Sequence, residues 1–305
     1  MHGIIPAVPT PFSADEEVDV PALRRIVRFL IDGGVHGLWV LGTGGEFAAL
    51  DDGQKRCVIA TVVEETAGRI PVLAGTGASG TALALRMARL AAECGADVLF
   101  AIPPYYYFYE DREVLAHMRA VRDATELPVI LYHNPFNTKM RLPLETVVAL
   151  CGEARMIGIK DSSLNFDDFQ ALLRAVPRDG SFQVLQGDEM SLAAGLLLGA
   201  DGAVLALPTV APRLCADLYQ AAHAGDMQRS LALQAEAADL FRVFQVPGRS
   251  GDSAFVAGQK GALELLGLCS RSVSRPFLPL TDAELETVAQ ILSRHRLLPS
   301  ATVAV

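Results

Sequence analysis

The segment MIGIKDSS (Met156–Ser163) ends an apolar run in a lysine and then turns polar. Lysine is rare inside a buried strand, because stripping water from its ammonium is costly. At the C-terminal end of a barrel strand the same burial favours the neutral amine, a nucleophile toward carbonyl carbon. Lys160 is thus a candidate for a Schiff base; a lysine snorkelling from a strand end, or paired with Asp161, fits the same spacing. The preceding run, PVILYHNP (Pro128–Pro135), carries Tyr132, and adjacent strands would bring its phenol within reach of Lys160. A phenol there can pass protons to and from a carbinolamine or a substrate hydroxyl. A core tyrosine with a satisfied hydroxyl is the alternative.

Other segments offer weaker signals. In WVLGTGGEFAAL (Trp39–Leu50), Gly44 and Gly45 allow the backbone to approach a carboxylate and hold it with N–H groups; a tight strand–helix turn needs the same glycines. The loop lacks the lysine of a phosphate-binding fingerprint. GTGASG (Gly75–Gly80) matches the dinucleotide pattern GxGxxG, with Asp97 as its ribose acid, so an NAD-dependent dehydrogenase is a rival reading. Against it, this is the third strand–helix unit, and Asp97 begins a strand where the ribose acid should end one. PPYYYFY (Pro103–Tyr109) places tyrosines, Tyr106 among them, where they could wall a site, meet a neighbouring subunit or simply pack. The six histidines show no ligand spacing, and no metal is expected.

Eight short apolar runs must position these residues: Ile4–Val8, Gly37–Leu41, Pro71–Ala74, Asp97–Ile102, Pro128–Tyr132, Met156–Ile159, Phe182–Leu185 and Gly202–Ala206. Helical periodicity fills the gaps at Val20–Asp32, Asp51–Ala67, Thr81–Cys94, Glu110–Thr125, Pro143–Cys151, Asp167–Val176, Glu189–Leu198 and Ala211–His223. Continuous rather than alternating apolar strands indicate a parallel sheet covered on both faces. An open doubly wound sheet or a closed (β/α)8 TIM barrel satisfies this. The length from Ile4 to His223, and chemistry spread over several strand ends, favour the barrel. Beyond it only helical stretches occur, at Gln228–Phe244, Ala254–Leu266 and Asp282–His295. The expected organisation is a barrel over 1–224 and a helical extension packed on it over 225–305.

Composition bounds the rest. With 51% hydrophobic residues, the 305-residue chain can bury a core without disulfide or metal staples. A net charge of −9 argues against nucleic acid or an anionic membrane as partner. Five scattered cysteines with no CxxC pair, and no signal peptide, suit a reduced cytoplasmic setting. The strongest apolar run, Ser191–Pro208, is broken by Gly195, Gly199, Asp201 and Gly202 and is no membrane span.

Taken together, GTGGE, PPYY, LYHNP, GIKDSS, QGDE, GADGAV and KGALELLGL…RPFLPL resemble, in order and register, the dihydrodipicolinate synthase / N-acetylneuraminate lyase superfamily. The resemblance runs from Ile5 to Leu280, and the superfamily's similar AGTG turn binds no NAD. It implies a class I pyruvate-dependent aldolase or lyase, without cofactor, usually a homotetramer built as a dimer of dimers. Lys160 matches its Schiff-base lysine, Tyr132 its proton-relaying tyrosine and Thr43 the hydroxyl residue that assists it. Tyr106 matches the tyrosine that reaches across a dimer interface. Val204 matches the residue whose carbonyl lies near bound pyruvate.

Two departures bear on substrate. Gly44 replaces a second hydroxyl that helps to bind pyruvate's carboxylate, leaving backbone N–H groups of Gly44 and Gly45. Asn137 stands where dihydrodipicolinate synthases carry an arginine for the semialdehyde's carboxylate, and an amide lacks the charged fork; Lys139 or Arg141 would have to substitute. Asp188 and Glu189 resemble the acidic pair that sialic-acid lyases use on a polyol, although helix N-capping would use them too. The expected function is a Schiff-base lyase joining or splitting pyruvate and an aldehyde, with a 2-keto-3-deoxy sugar acid favoured over aspartate semialdehyde. Within the family the alternatives are 4-hydroxy-tetrahydrodipicolinate synthase and a keto-deoxy sugar acid dehydratase. Outside it they are the dehydrogenase and a non-catalytic, ligand-sensing barrel.

Overall fold

The computed structural model describes residues 1–298. Its strands are β1 (Gly3–Pro6), β2 (Leu38–Val40), β3 (Val72–Gly75), β4 (Val98–Ala101), β5 (Val129–His133), β6 (Met156–Asp161), β7 (Gln183–Gln186) and β8 (Gly202–Leu205). All pair in parallel in the order β1-β8-β7-β6-β5-β4-β3-β2. The ring closes between β1 and β2, where Val8 N–H donates to Trp39 O at 2.9 Å and Ala7 bridges Trp39. Closure excludes the open doubly wound sheet and gives the (β/α)8 barrel.

Alternate residues of each strand serve two cores, which is why the strands read as unbroken apolar runs. Ile5, Trp39, Leu73, Phe100, Ile130, Leu185 and Val204 point inward and fill the barrel. Their neighbours, such as Ile4, Leu38, Val40, Leu99, Leu131 and Val184, join the larger layer between strands and helices.

That outer layer comprises α1 (Val20–Asp32), α2 (Asp52–Thr66), α3 (Thr81–Glu93), α4 (Asp111–Asp123), α5 (Pro135–Thr138), α6 (Leu144–Cys151), α7 (Phe166–Ala175), α8 (Leu192–Leu197) and α9 (Pro212–His223). After it come α10 (Met227–Leu240), α11 (Gly251–Leu265) and α12 (Asp282–Arg294). The extension was expected to reach residue 305; residues 299–305 lie outside those described. Among the described residues no helix is long and apolar enough to cross a membrane.

Three local departures have identifiable causes. The single-turn helix α5 was not expected; proline at its first position pre-sets the dihedral. The helix expected over Glu189–Leu198 begins as a 3-10 turn, Glu189–Ser191, and becomes α-helical only at Leu192. Asp188 caps that turn, accepting from Met190 N–H at 3.0 Å and Ser191 Oγ at 2.6 Å. The helix expected over Gln228–Phe244 closes at Leu240, and Phe241–Phe244 is again a 3-10 turn.

Arg249, just before α11, fixes the chain between α11 and α12 by donating to the Leu278 and Pro279 carbonyls, and it also donates to both carboxylate oxygens of Glu284 at 2.7 and 2.8 Å. That bond, with the Thr281 N–H, holds the Glu284 carboxyl down at about 2 against an ordinary 4.5. A carboxyl depressed by folding stabilises fully above its unfolded value and loses that contribution as pH falls through its folded value. Melting temperature should therefore drop between pH 4.5 and about 2, and Glu284→Gln should flatten that part of the profile while lowering stability at neutral pH.

Candidate active site

The C-terminal ends of β2, β5, β6, β7 and β8 open into a cavity of about 650 Å³. Lys160 is the penultimate residue of β6, in register with Tyr132 on β5 and Leu185 on β7. It lines the cavity but is only 5% exposed, so it does not snorkel to solvent. Nor does it pair with Asp161, which the pleat turns to the outer layer. There Asp161 takes bonds from His133 Nδ1 at 2.7 Å and Ser163 Oγ at 2.9 Å. Lys160 Nζ instead lies over aromatic faces, 4.3 Å from the ring centre of Tyr132 and 5.2 Å from that of Trp39. Trp39 is stacked on Phe100 at 3.6 Å, giving the amine a rigid aromatic floor.

Tyr132 is buried, and its hydroxyl is 3.4 Å from Thr43 Oγ1 and accepts from Asn134 Nδ2 at 3.1 Å. Burial opposes ionisation of this phenol. The charge of Lys160 and hydrogen bonds with Thr43 and Asn134 outweigh it, so the pKa lies below the usual tyrosine value. Such a phenol gives up its proton more readily.

The turn after β2 presents its groups unequally. Gly44 lines the cavity, and its N–H finds no acceptor among the described residues. Gly45 N–H is committed to Gly42 O at 3.0 Å, so of the two expected donors only Gly44 is free. The next residue, Glu46, sits in the left-handed region (φ 56°) with its side chain buried. Its carboxylate meets Lys260 of α11 at 2.8 Å, both side chains being wholly buried. Sequence reasoning missed this pair, which clamps the turn to the C-terminal helices.

Val204 contributes to the cavity wall, as does Asn137. Asn137 accepts from Asn134 Nδ2 at 2.9 Å and donates to Asp252 Oδ2 at 2.6 Å, leaving no cation at the position where an arginine would grip a second carboxylate. Neither Lys139 nor Arg141 lines the cavity, and Arg141 is paired with Asp168 at 3.0 Å. Glu189 does line it, and its Oε1 accepts from Ala206 N–H at 2.7 Å. Burial raises its pKa, against the pull of the Ala206 and Leu207 N–H groups and Lys160. Asp188 is not on the wall; its carboxylate is spent on the cap.

Asn134 and Asp252, also absent from the sequence reading, complete a polar line Thr43–Tyr132–Asn134–Asn137–Asp252. Period-two alternation from Tyr132 could have placed Asn134 on the cavity side. This line separates the main cavity from a second of about 470 Å³ walled by Phe47, Ile102, Tyr105 and Val256. Tyr106 lines neither; it is 71% exposed, in a left-handed conformation (φ 91°).

The dinucleotide reading of GTGASG fails on packing. A Cβ on Gly75 would stand 2.7 Å from Phe100, and one on Gly77 would stand 2.6 Å from Phe47. These glycines admit aromatic rings from neighbouring elements, not a pyrophosphate.

Comparison with known proteins agrees with this geometry. The model of the dihydrodipicolinate synthetase family matches residues 1–295. An uncharacterized DapA-like lyase of Halobacterium salinarum is 36% identical over 282 residues, 92% of this chain and 90% of that protein. A 4-hydroxy-tetrahydrodipicolinate synthase of Thermomicrobium roseum is 36% identical over 293 residues, 96% of this chain and 94% of that protein. Among solved structures, E. coli K12 YagE, crystallised with pyruvate, superposes with a TM-score of 0.91 at 30% identity, over 97% of this chain and 99% of its own. The chain belongs to the dihydrodipicolinate synthetase family and is a lyase of the class I aldolase type.

Proposed function

We propose that this enzyme forms a Schiff base between Lys160 and a 2-oxo acid, and cleaves or forms the bond between pyruvate C3 and an aldehyde carbon. The observation that carries the reading is a lysine buried at a barrel strand's C-terminal end, over aromatic faces and beside a phenol of lowered pKa. Neutral Lys160 attacks C2, and loss of water from the carbinolamine leaves a protonated imine. Tyr132 gives its proton to the departing carbinolamine hydroxyl, and in the cleavage direction the phenolate so formed takes the C4 hydroxyl proton as the C3–C4 electrons move into the imine and the aldehyde departs. Protonation of the enamine at C3 and hydrolysis release pyruvate and the amine. Thr43 and Asn134 hold the phenol in place, and Val204 walls the site beside the bound oxo acid. The resemblance brings Tyr106 of a neighbouring protomer to this relay within a dimer of dimers. Its exposure in the single chain accords with a role in trans.

The aldehyde end supports a hydroxylated substrate over one with a second carboxylate. Asn137, Asp252 and Glu189 line it, and among the described residues the arginine on its wall, Arg249, is occupied by Glu284. Carboxylates and amides accept hydrogen bonds from sugar hydroxyls but offer a distal carboxylate no charge. A 2-keto-3-deoxy sugar acid fits better than aspartate semialdehyde.

Borohydride reduction with pyruvate tests the imine. The chain has four lysines, Lys55, Lys139, Lys160 and Lys260, so peptide mass mapping reads the site directly. An adduct on Lys160 is expected; none, or one elsewhere, refutes the reading. Release of pyruvate from a panel of 3-deoxy-2-oxo acids then separates cleavage from dehydration, which yields no pyruvate. Tyr132→Phe, which keeps the ring over Lys160 and removes the hydroxyl, should slow turnover by about 10²–10⁴-fold. An unaltered turnover number would remove Tyr132 from the relay.

A further inference from the structure

Gly44 removes a side chain from the cavity wall, and a second residue occupies the space. Gln259, on α11, is fully buried. Its Oε1 and Nε2 lie 3.2 and 3.6 Å from the point where a Gly44 Cβ would stand. Phe255, which lines the cavity, is 3.5 Å from the same point. A polar head group thus stands where a γ-hydroxyl at position 44 would reach.

That head group has unused capacity. Nε2 donates one hydrogen to Thr209 Oγ1 at 3.1 Å, and Oε1 has no partner. Thr209 Oγ1 gives its own hydrogen to Ala206 O at 2.7 Å, so it faces Gln259 as an acceptor. The arrangement is reversible. If the Thr209 hydroxyl turns, it donates to Gln259 Oε1, and the inverted amide presents Nε2 to the Gly44 side. Ala206 O keeps a donor throughout, because Thr209 N–H bonds it at 2.8 Å.

We propose that Gln259 is a binding residue of the carboxylate subsite, replacing the hydroxyl that Gly44 lacks. A 2-oxo acid carboxylate seated on the free Gly44 N–H draws the amide over. Gln259 Nε2 then donates to the carboxylate, and Thr209 donates to Oε1. Gly44 and Gln259 form a pair, since a side chain at 44 would press against the amide. The inference deepens the 2-oxo acid reading and rests on it for the identity of the ligand.

The test titrates pyruvate and uncharged methyl pyruvate into wild type and Gln259→Leu by calorimetry, with the fluorescence of Trp39, the one tryptophan, as a second signal. The Kd for pyruvate should rise about tenfold, or about 1.4 kcal/mol, while that for methyl pyruvate stays within about twofold. Equal weakening of both probes marks a packing role and overturns the proposal, as does an unchanged pyruvate Kd. Gly44→Thr alone should also weaken pyruvate binding. Gly44→Thr/Gln259→Val should restore it to within about threefold of wild type, and a double variant no better than the worse single variant overturns the pairing. These readouts need no imine. Wild type that binds pyruvate without a Lys160 adduct refutes the Schiff base and leaves the Gln259 comparison decisive; wild type that binds no pyruvate overturns both.

Discussion

Lys160→Met should abolish the borohydride-trapped adduct and lower turnover by on the order of 10⁴-fold or more, the scale on which removal of a covalent nucleophile acts. Methionine keeps an unbranched apolar stem against Trp39 and Tyr132. Lys160 makes no ion pair among the described residues; losing its charge removes one of the pulls that hold down the pKa values of Glu189 and Tyr132. Melting temperature should hold or rise, since a buried amine over aromatic rings is replaced by a thioether that needs no hydration. Lys160→Arg separates charge from nucleophilicity. It retains a cation over the rings, yet a guanidinium stays protonated and does not condense with a ketone, so it should be as inactive as methionine. Turnover within about tenfold of wild type in either variant, with no adduct elsewhere, would remove the imine from the mechanism.

The barrel and the centre of its site were legible because both follow from patterns local in sequence. A strand buried on two faces must be apolar throughout, so eight such runs separated by amphipathic helices show themselves residue by residue. A lysine that breaks such a run at its end is conspicuous for the same reason, and strand adjacency carries Tyr132 to it. Contacts between distant segments left no comparable trace. Nothing near Gly45 announces that its N–H is spent on Gly42, and Glu189 resembles an ordinary first-turn acid until the Ala206 N–H is seen to hold it. Gln259 is an unremarkable helical glutamine until Gly44 is placed against it. The rest of the cavity wall is built from such pairings, so substrate choice is harder to read than chemistry.

The Glu46–Lys260 clamp carries the largest expected effect on stability. Glu46 Oε1 faces Lys260 Nζ at 2.8 Å, and Oε2 accepts from Ser274 N–H and Oγ at 2.7 Å each. Lys260 also donates to Ser272 O at 2.9 Å and lies 4.5 Å from the Phe12 ring centre. Lys260→Met removes the cation and leaves a carboxylate with no solvent, a loss of about 3–5 kcal/mol. At roughly 2–4 °C per kcal/mol, melting temperature should fall by about 10 °C. Adding Glu46→Gln removes the stranded charge and keeps an oxygen for Ser274, so the double variant should recover most of that loss. Activity should not recover with it. Glu46 follows Thr43 and Gly44 with only Gly45 between, and Lys260 follows Gln259. The ion pair therefore sets the distance between the turn that carries Thr43, bonded to Tyr132, and the helix that carries Gln259. In the double variant, assayed well below its melting temperature, KM for the 2-oxo acid should remain raised although the fold is stable. Single variants that melt within about 2 °C of wild type would refute the energetic claim. A double variant with wild-type KM would show that the pair braces the barrel without positioning the site.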